Sequence, residues 1–268
     1  MTVVIQYVLL IAATLLVIFP LLISISVALQ GPVVAPNLLP TPGKLDFGIF
    51  AQVFRDEPNL ARWILNSFVV ATVVTMGVIV TSSLAAYALA HAGFAGQAIV
   101  LFLALGTLMI PFEATIIPNF LFISSLKLRN SFPGLIIPFL GSGFGIFMLR
   151  QYFLTIPREL YDAARIDGCS DIRYLFSILA PLSMPALATL AIYTFLNTYN
   201  QYYWPLLITD TTEWRTTQVG ISIFRSAEYQ VFNAQMAANL IVMLPTLALL
   251  VLGQRQLVRG LTAGAVKG

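Results

Sequence analysis

The sequence predicts an all-α, polytopic membrane protein with six transmembrane helices and one short surface helix. Three observations carry this. Of 268 residues, 59% are hydrophobic and 9% are charged, against roughly 25% charged in soluble domains. The charges are absent from long stretches, and a charge at the bilayer centre costs roughly 2.5 to 3.5 kcal/mol on insertion scales. The segment from Arg150 to Arg173, by contrast, packs four arginines and four acids into 24 residues. An ordinary soluble enzyme is excluded. The net charge of +3 is too small a surplus to suggest a nucleic-acid partner. A single His91 and a single Cys169 cannot assemble a zinc site, an iron–sulfur cluster or a disulfide, so no metal site is expected. Residues 1–268 read as a single transmembrane domain in contact with the lipid bilayer.

The first helix spans about residues 3–29, inside a start free of charge as far as Gly43, and Gly31, Pro32, Pro36, Pro40, Pro42 and Gly43 end it. A cleaved signal peptide is the competing reading, but this start has no basic region and its apolar run is too long, which favours a retained anchor. Trp63 to Phe112 is 50 residues without a charge, the length of two crossings and a turn. His91, Gly93, Gly96 and Gln97 mark the turn, so helices over about 64–90 and 98–122 follow. A fourth helix over 132–149 contains Pro133, Pro138, Gly141, Gly143 and Gly145, which membrane helices tolerate when neighbours cover the freed backbone.

A fifth helix covers about 175–196, distorted by Pro181 and Pro185, and exits through Asn197, Tyr199, Asn200, Gln201, Tyr202, Tyr203 and Trp204. A polar stretch from Asp210 to Glu228 precedes the sixth helix, 232–252, and a basic tail with Arg255, Arg259 and Lys267 follows it. Six crossings put both termini on one side. That side carries seven basic residues and so does the other, where Lys44, Arg55, Arg62, Lys127, Arg129, Arg215 and Arg225 lie. Only the greater density of basic residues in the loops of the termini side favours that side as cytoplasmic.

In the polar loop 150–173, Pro157 can open a helix and Gly168 can close it. Leu160, Ala163, Ala164 and Ile166 would face a groove, with Glu159, Asp162, Arg165 and Asp167 around them. Ser170 is placed to cap a following turn at Asp171. The order Asp162-Ala163-Ala164, three residues, Gly168, nine residues, Ile178, one residue, Ala180, Pro181 resembles the EAA loop of ABC importer permeases. Asp162 stands for the usual Glu, and Ala180 for the usual Leu. Met109-Ile110-Pro111, Ile117-Pro118, Gly145 to Arg150, Asn200 to Pro205 and the ending Gly260 to Gly268 are similar to the maltose and glycerol-3-phosphate type of carbohydrate permease.

The resemblance covers about residues 63–268. It implies the type I importer permease fold and import of a carbohydrate or sugar-like substrate, glycerophosphate included. It also implies that Glu159, Asp162, Ala163, Ala164, Arg165, Asp167 and Gly168 couple the chain to a cytoplasmic ATPase subunit. The implied partners are a second homologous permease, two ABC ATPase subunits and an extracytoplasmic substrate-binding protein. ATP and Mg would sit on the ATPase subunits, with no cofactor on this chain, which has no Gly-rich phosphate loop and is not expected to be an enzyme. The loop helix would enter a groove on the ATPase, apolar residues anchoring it and rim charges setting register.

Substrate-path candidates are Glu113, Asn119, Asn197, Tyr199, Asn200 and Gln201. Amides pair with hydroxyls and rings stack on sugar faces, although an interfacial belt is the alternative reading of the last four. Glu113 is an acid in an otherwise neutral helix. A straight rise from Gln97 puts it about 24 Å up, near the outer edge of the bilayer core, in a gating or substrate role. His91 reads as a turn residue, and Asn66 and Ser67 as caps or interhelical hydrogen-bond formers. Arg129 and Arg215 would suit a phosphate, with surface anchoring the alternative. An ion-coupled secondary transporter, for which only Glu113 speaks, and a non-transporting membrane scaffold are the competing functions.

Overall fold

The computed structural model describes residues 2–30, 45–226 and 232–262, and among these every regular element is helical. The elements are α1 Thr2–Ala28, α2 Ile49–Asp56, α3 Leu60–His91, α4 Gln97–Gly106, α5 Phe112–Ser125, α6 Phe132–Ile136 and α7 Gly143–Phe153. They continue as α8 Arg158–Ile166, α9 Asp171–Tyr174, α10 Ala180–Leu182, α11 Met184–Tyr199, α12 Tyr203–Ile208, α13 Thr217–Ser226 and α14 Phe232–Thr262. Segments Val4–Ala28, Leu60–His91 and Phe232–Gln256 are long and apolar enough to cross a bilayer unbroken. Three bent pairs raise the total to six spans if each pair counts as one. Lys44, Glu228, Lys267 and the glycine and proline run from Gly31 to Gly43 lie outside the described residues, as does the end of the tail after Thr262 and the side chains of Arg225 and Arg259.

Each bent pair stands where the sequence predicts one helix, and proline accounts for the bends in the first and third pairs. The expected helix over 98–122 is Gln97–Met109 followed by Phe112–Ser125 at 99°. Ile110 is extended at φ −86°, ψ 114°, because the ring of Pro111 disfavours helical geometry in the residue before it. The straight rise from Gln97 is thus interrupted at Ile110 and Pro111, just before Glu113. Glu113 sits in the first turn of α5, where the exposed N–H groups of the helix favour an acid. The expected helix 132–149 is Phe132–Phe139 and Gly143–Phe153 at 49°. Ser131 and Ser142 start its two halves, their hydroxyls accepting from Gly134 N at 3.3 Å and Gly145 N at 3.0 Å.

The expected helix 175–196 begins earlier, at Asp171, widens into a π turn over Leu175–Leu179, and bends by 85° before Met184. Pro181 and Pro185 flank the bend, as the sequence predicts. At the other extreme, α14 runs ten residues beyond its expected end. Gly253 lies inside it because the glycine is a contact and not a stop: a Cβ there would meet Ile192 Cδ1 at 2.4 Å.

The chain divides into two compact units. One comprises residues 1–64 and 217–245, and its core gathers Ala28, Ile49, Val53, Leu60, Trp63, Ala234, Ala237 and Val242. Gly220 is pressed to the Trp63 ring, where a Cβ would come within 2.0 Å, and Thr217 Oγ1 donates to Trp63 O at 3.0 Å. In the same unit the side chains of α1 from Val4 to Phe19 are all exposed, consistent with a lipid-facing helix. The other unit comprises residues 65–216 and 246–268 and holds the larger core, built on α3, α6, α7, α9, α11 and α12. Asn66 of α3 ties that helix to the connection between α12 and α13, donating to Glu213 O at 2.8 Å and Arg215 O at 2.9 Å.

Candidate functional site

The most polar stretch of the chain folds as the sequence predicts. Pro157 precedes α8, and Gly168 closes it at φ +73°, a left-handed conformation that glycine adopts at no steric cost. Ser170 Oγ accepts from Arg173 N at 3.4 Å and so starts α9. At 100° per residue, Glu159, Asp162, Ala163 and Ile166 share one face of α8, opposite Tyr161 and Ala164. Burial follows this division. Ile166 is 87% exposed and Ala164 only 6%. Ala164 therefore does not face a partner groove, as the sequence suggested. It packs into the unit's own core beside Phe153, Tyr174 and Leu175, because the helix must bury one apolar stripe to stay attached. Glu159, Asp162, Ala163, Arg165, Asp167 and Gly168 are exposed.

Beneath α8 lies a group of rings that sequence reasoning missed. Tyr87 and His91, four residues apart on α3, stack with centroids 5.2 Å apart. Tyr161 of α8 and Tyr174 of α9 complete the cluster, the His91 ring lying 5.5 Å from one and 6.1 Å from the other. His91 is thus more than a turn residue. The i, i+4 spacing of Tyr87 and His91 is visible in the sequence, but nothing local ties it to residues 70 to 87 positions later. Asp171 joins the same group: its Oδ1 accepts from Tyr87 Oη at 2.7 Å, Arg165 Nη1 at 3.3 Å and Tyr161 Oη at 3.4 Å. The C-terminal end of α3 is also capped, since Arg150 Nε donates to Leu89 O at 3.0 Å and Gln97 Nε2 donates to the same carbonyl. A cavity of about 620 Å³ lies beside these groups, lined by His91, Gln97, Phe153, Arg158 and Tyr161 among others.

The substrate-path candidates lie on α5 and at the end of α11. Glu113 is exposed and Asn119 half-buried on α5. Asn197 and Asn200 each donate to a carbonyl one turn back, Tyr193 O and Leu196 O, both at 2.8 Å, as residues closing a helix do. Tyr199 is 1% exposed and packs with Ala71, Phe195 and Leu249, so its ring is committed to the core. Gln201 is half-buried. Trp204, expected at an interface, is fully buried. Arg129 is held by Asp210 in two contacts of 2.7 Å, and Arg215 Nη1 donates to Thr212 Oγ1 at 3.4 Å. Among the described residues no cluster of His, Cys, Asp and Glu could hold a metal ion.

Six potential spans, with an exposed charged helix tied to the end of one of them, are the architecture of a multi-pass membrane protein. Residues 77–262 match the family model of the binding-protein-dependent transport system inner membrane component, and the chain belongs to that family. It is 37% identical over 266 residues to the sn-glycerol-3-phosphate transport system permease protein UgpE of Pectobacterium atrosepticum, covering 96% of this chain and 94% of that one. It is 33% identical over 232 residues to the arabinooligosaccharides transport system permease protein AraQ of Bacillus subtilis, covering 87% and 83%. Its fold matches a chain in the crystal structure of a bacterial ABC transporter involved in the import of the acidic polysaccharide alginate, with a TM-score of 0.79, 24% identity, and coverage of 94% and 95%. The resemblance to ABC importer permeases read from the loop 150–173 is thereby borne out. Family membership implies a complex with substrate-binding and ATPase partners.

Proposed function

We propose that this permease imports a carbohydrate or a sugar-like polyol phosphate, and that α8 is the element through which an ATPase subunit drives it. The observation that carries the second part is the exposed face of α8. Ile166, 87% exposed in water beside Glu159 and Asp162, is an apolar anchor with charged flanks and no partner surface of its own. The substrate class rests on relatives that are named for glycerol 3-phosphate and arabinooligosaccharide transport. In this reading two ATPase subunits hold ATP and Mg. This chain pairs with a homologous permease, and substrate arrives from an extracytoplasmic binding protein. ATP is cytoplasmic, so α8 and both termini are cytoplasmic too, in agreement with the density of basic residues in the loops of that side. Nothing about Glu113 favours ion coupling, since the first turn of α5 accounts for an acid there.

The test replaces Ile166 and Asp162 separately with Arg and measures two things: copurification of an ATPase subunit, and ATP-dependent uptake of radiolabelled sn-glycerol 3-phosphate and of an arabino-oligosaccharide. Loss of both with normal membrane insertion is expected. Undiminished binding and uptake would remove α8 from the docking role. Uptake driven by a proton gradient after ATP depletion would replace the ATPase reading with a secondary carrier.

A further inference from the structure

The outer face of α8 is open, whereas polar groups of its inner face converge on a single carboxylate. We propose that Asp171 is a positioning residue that makes α8 and the end of α3 move as one body, so that a displacement of α8 is delivered to a long transmembrane helix. The proposal rests on the reading of α8 as the ATPase-docking helix.

Three donors from two helices converge on Asp171 Oδ1. Tyr87 is on α3, and Tyr161 and Arg165 are one turn apart on α8. Asp171 itself is the first residue of α9. One oxygen therefore ties α3, α8 and α9 together. Hydrogen bonds to an ionised acceptor are shorter and stronger than neutral ones, and the 2.7 Å contact from Tyr87 fits that class. The tie is backed by packing. Tyr161 meets Tyr174 edge-on at 5.2 Å, and His91 stacks on Tyr87, so the rings fill the space through which α8 would otherwise slide over α3. Ala164 is buried at the same seam. Packed seams of this kind move between discrete arrangements and do not deform smoothly, so a push on α8 is passed on and not absorbed. Without the tie the rings still fill the seam, but no directional bond fixes their register, so α8 can shift to a neighbouring packing arrangement.

The experiment measures the separation of α3 and α8 in the assembled complex. Spin labels are placed at Leu84 on α3 and Arg158 on α8, both exposed, in a C169S background. The complex, purified with its ATPase subunit and placed in lipid nanodiscs, is measured nucleotide-free and with ATP and vanadate. In the parent, one distance is expected and it stays the same in both states. In Tyr87→Phe, which keeps the ring stack and loses the 2.7 Å bond, and in Asp171→Ala, a shifted or second distance is expected with ATP and vanadate only. Equal distances in all three proteins, broadening that is the same in both nucleotide states, or a parent distance that itself changes with nucleotide would each overturn the proposal. A parent chain that retains no ATPase subunit would instead overturn the docking reading, and the hub's role in coupling with it.

Discussion

Trp204 donates its indole N–H to the carbonyl of Gly134 at 3.1 Å, and the reason this bond exists lies four residues further on. In a helix the carbonyl of residue 134 would accept from the N–H of residue 138, but residue 138 is proline and has none. The fully buried indole takes its place. The same segment leaves no room for a larger residue at 134, where a Cβ would lie 2.1 Å from Leu128 O. Trp204→Phe should therefore destabilise the protein by about 1–3 kcal/mol through an orphaned carbonyl, and Trp204→Ala by about 3–5 kcal/mol. Pro138→Ala, which restores a backbone donor, should recover part of the Phe loss. Unfolding midpoints in detergent for the single and double variants check this, and an additive double variant would refute the link between Pro138 and Trp204.

Glycines in the second unit separate into contacts and bystanders. A Cβ on Gly143 would lie 2.4 Å from Ala104 O, a backbone atom that cannot swing aside, whereas at Gly106 nothing lies within 4 Å. Gly143→Ala should thus disrupt the packing of α7 on α4 and lower expression and thermal stability. Gly106→Ala should be neutral or stabilising, by up to about 1 kcal/mol from helix propensity. Thermal stability of the two variants, measured side by side, decides the matter, and equal losses would contradict the geometry.

What the sequence disclosed, and what it hid, follows from how local each signal is. The charge-free runs locate the spans because the bilayer penalises charge residue by residue, and Pro157, Gly168 and Ser170 mark the ends of α8 and the start of α9 because caps are local. The bends are half-legible. Pro181 and Pro185 read as a distortion, whereas Pro111 lies inside a run without Lys or Arg that is long enough for a whole crossing, so length alone hides its break. Two features were illegible. Tyr199 and Trp204 look like an interfacial belt, and only the tertiary fold shows them buried. Asp171 looks like one more acid in a polar loop, and its three donors lie 6, 10 and 84 residues away.

Arg129 and Asp210 form a two-pronged contact at 2.7 Å, with side chains 40% and 55% exposed. Asn130 Oδ1 also accepts from the N–H of Asp210 at 2.7 Å, so the two loops are joined through backbone as well as charge. Exposed ion pairs contribute about 0–1 kcal/mol. Arg129→Ala should accordingly change stability little, and because the guanidinium is already engaged, it should leave the apparent affinity for sn-glycerol 3-phosphate uptake unchanged. A selective loss of affinity for the phosphorylated probe, with arabino-oligosaccharide uptake intact, would return Arg129 to the substrate path.

Gly168 offers the sharpest test of how α8 is presented. Its φ of +73° is one that L side chains rarely adopt, yet there is open space where a Cβ would project. The cost of a substitution is thus conformational and not steric. For a β-branched residue it should reach about 1–2 kcal/mol or more, and for asparagine, which tolerates the left-handed region, it should be smaller. Gly168→Val should release the end of α8, misplace Ile166 and reduce retention of an ATPase subunit, while Gly168→Asn should retain most of it. The ratio of copurified ATPase subunit to permease, read on quantified gels at equal permease expression, distinguishes the two. Equal retention by both variants would show that the left-handed turn does not set the position of α8, whereas equal loss would mean that the glycine is needed for close approach by the partner.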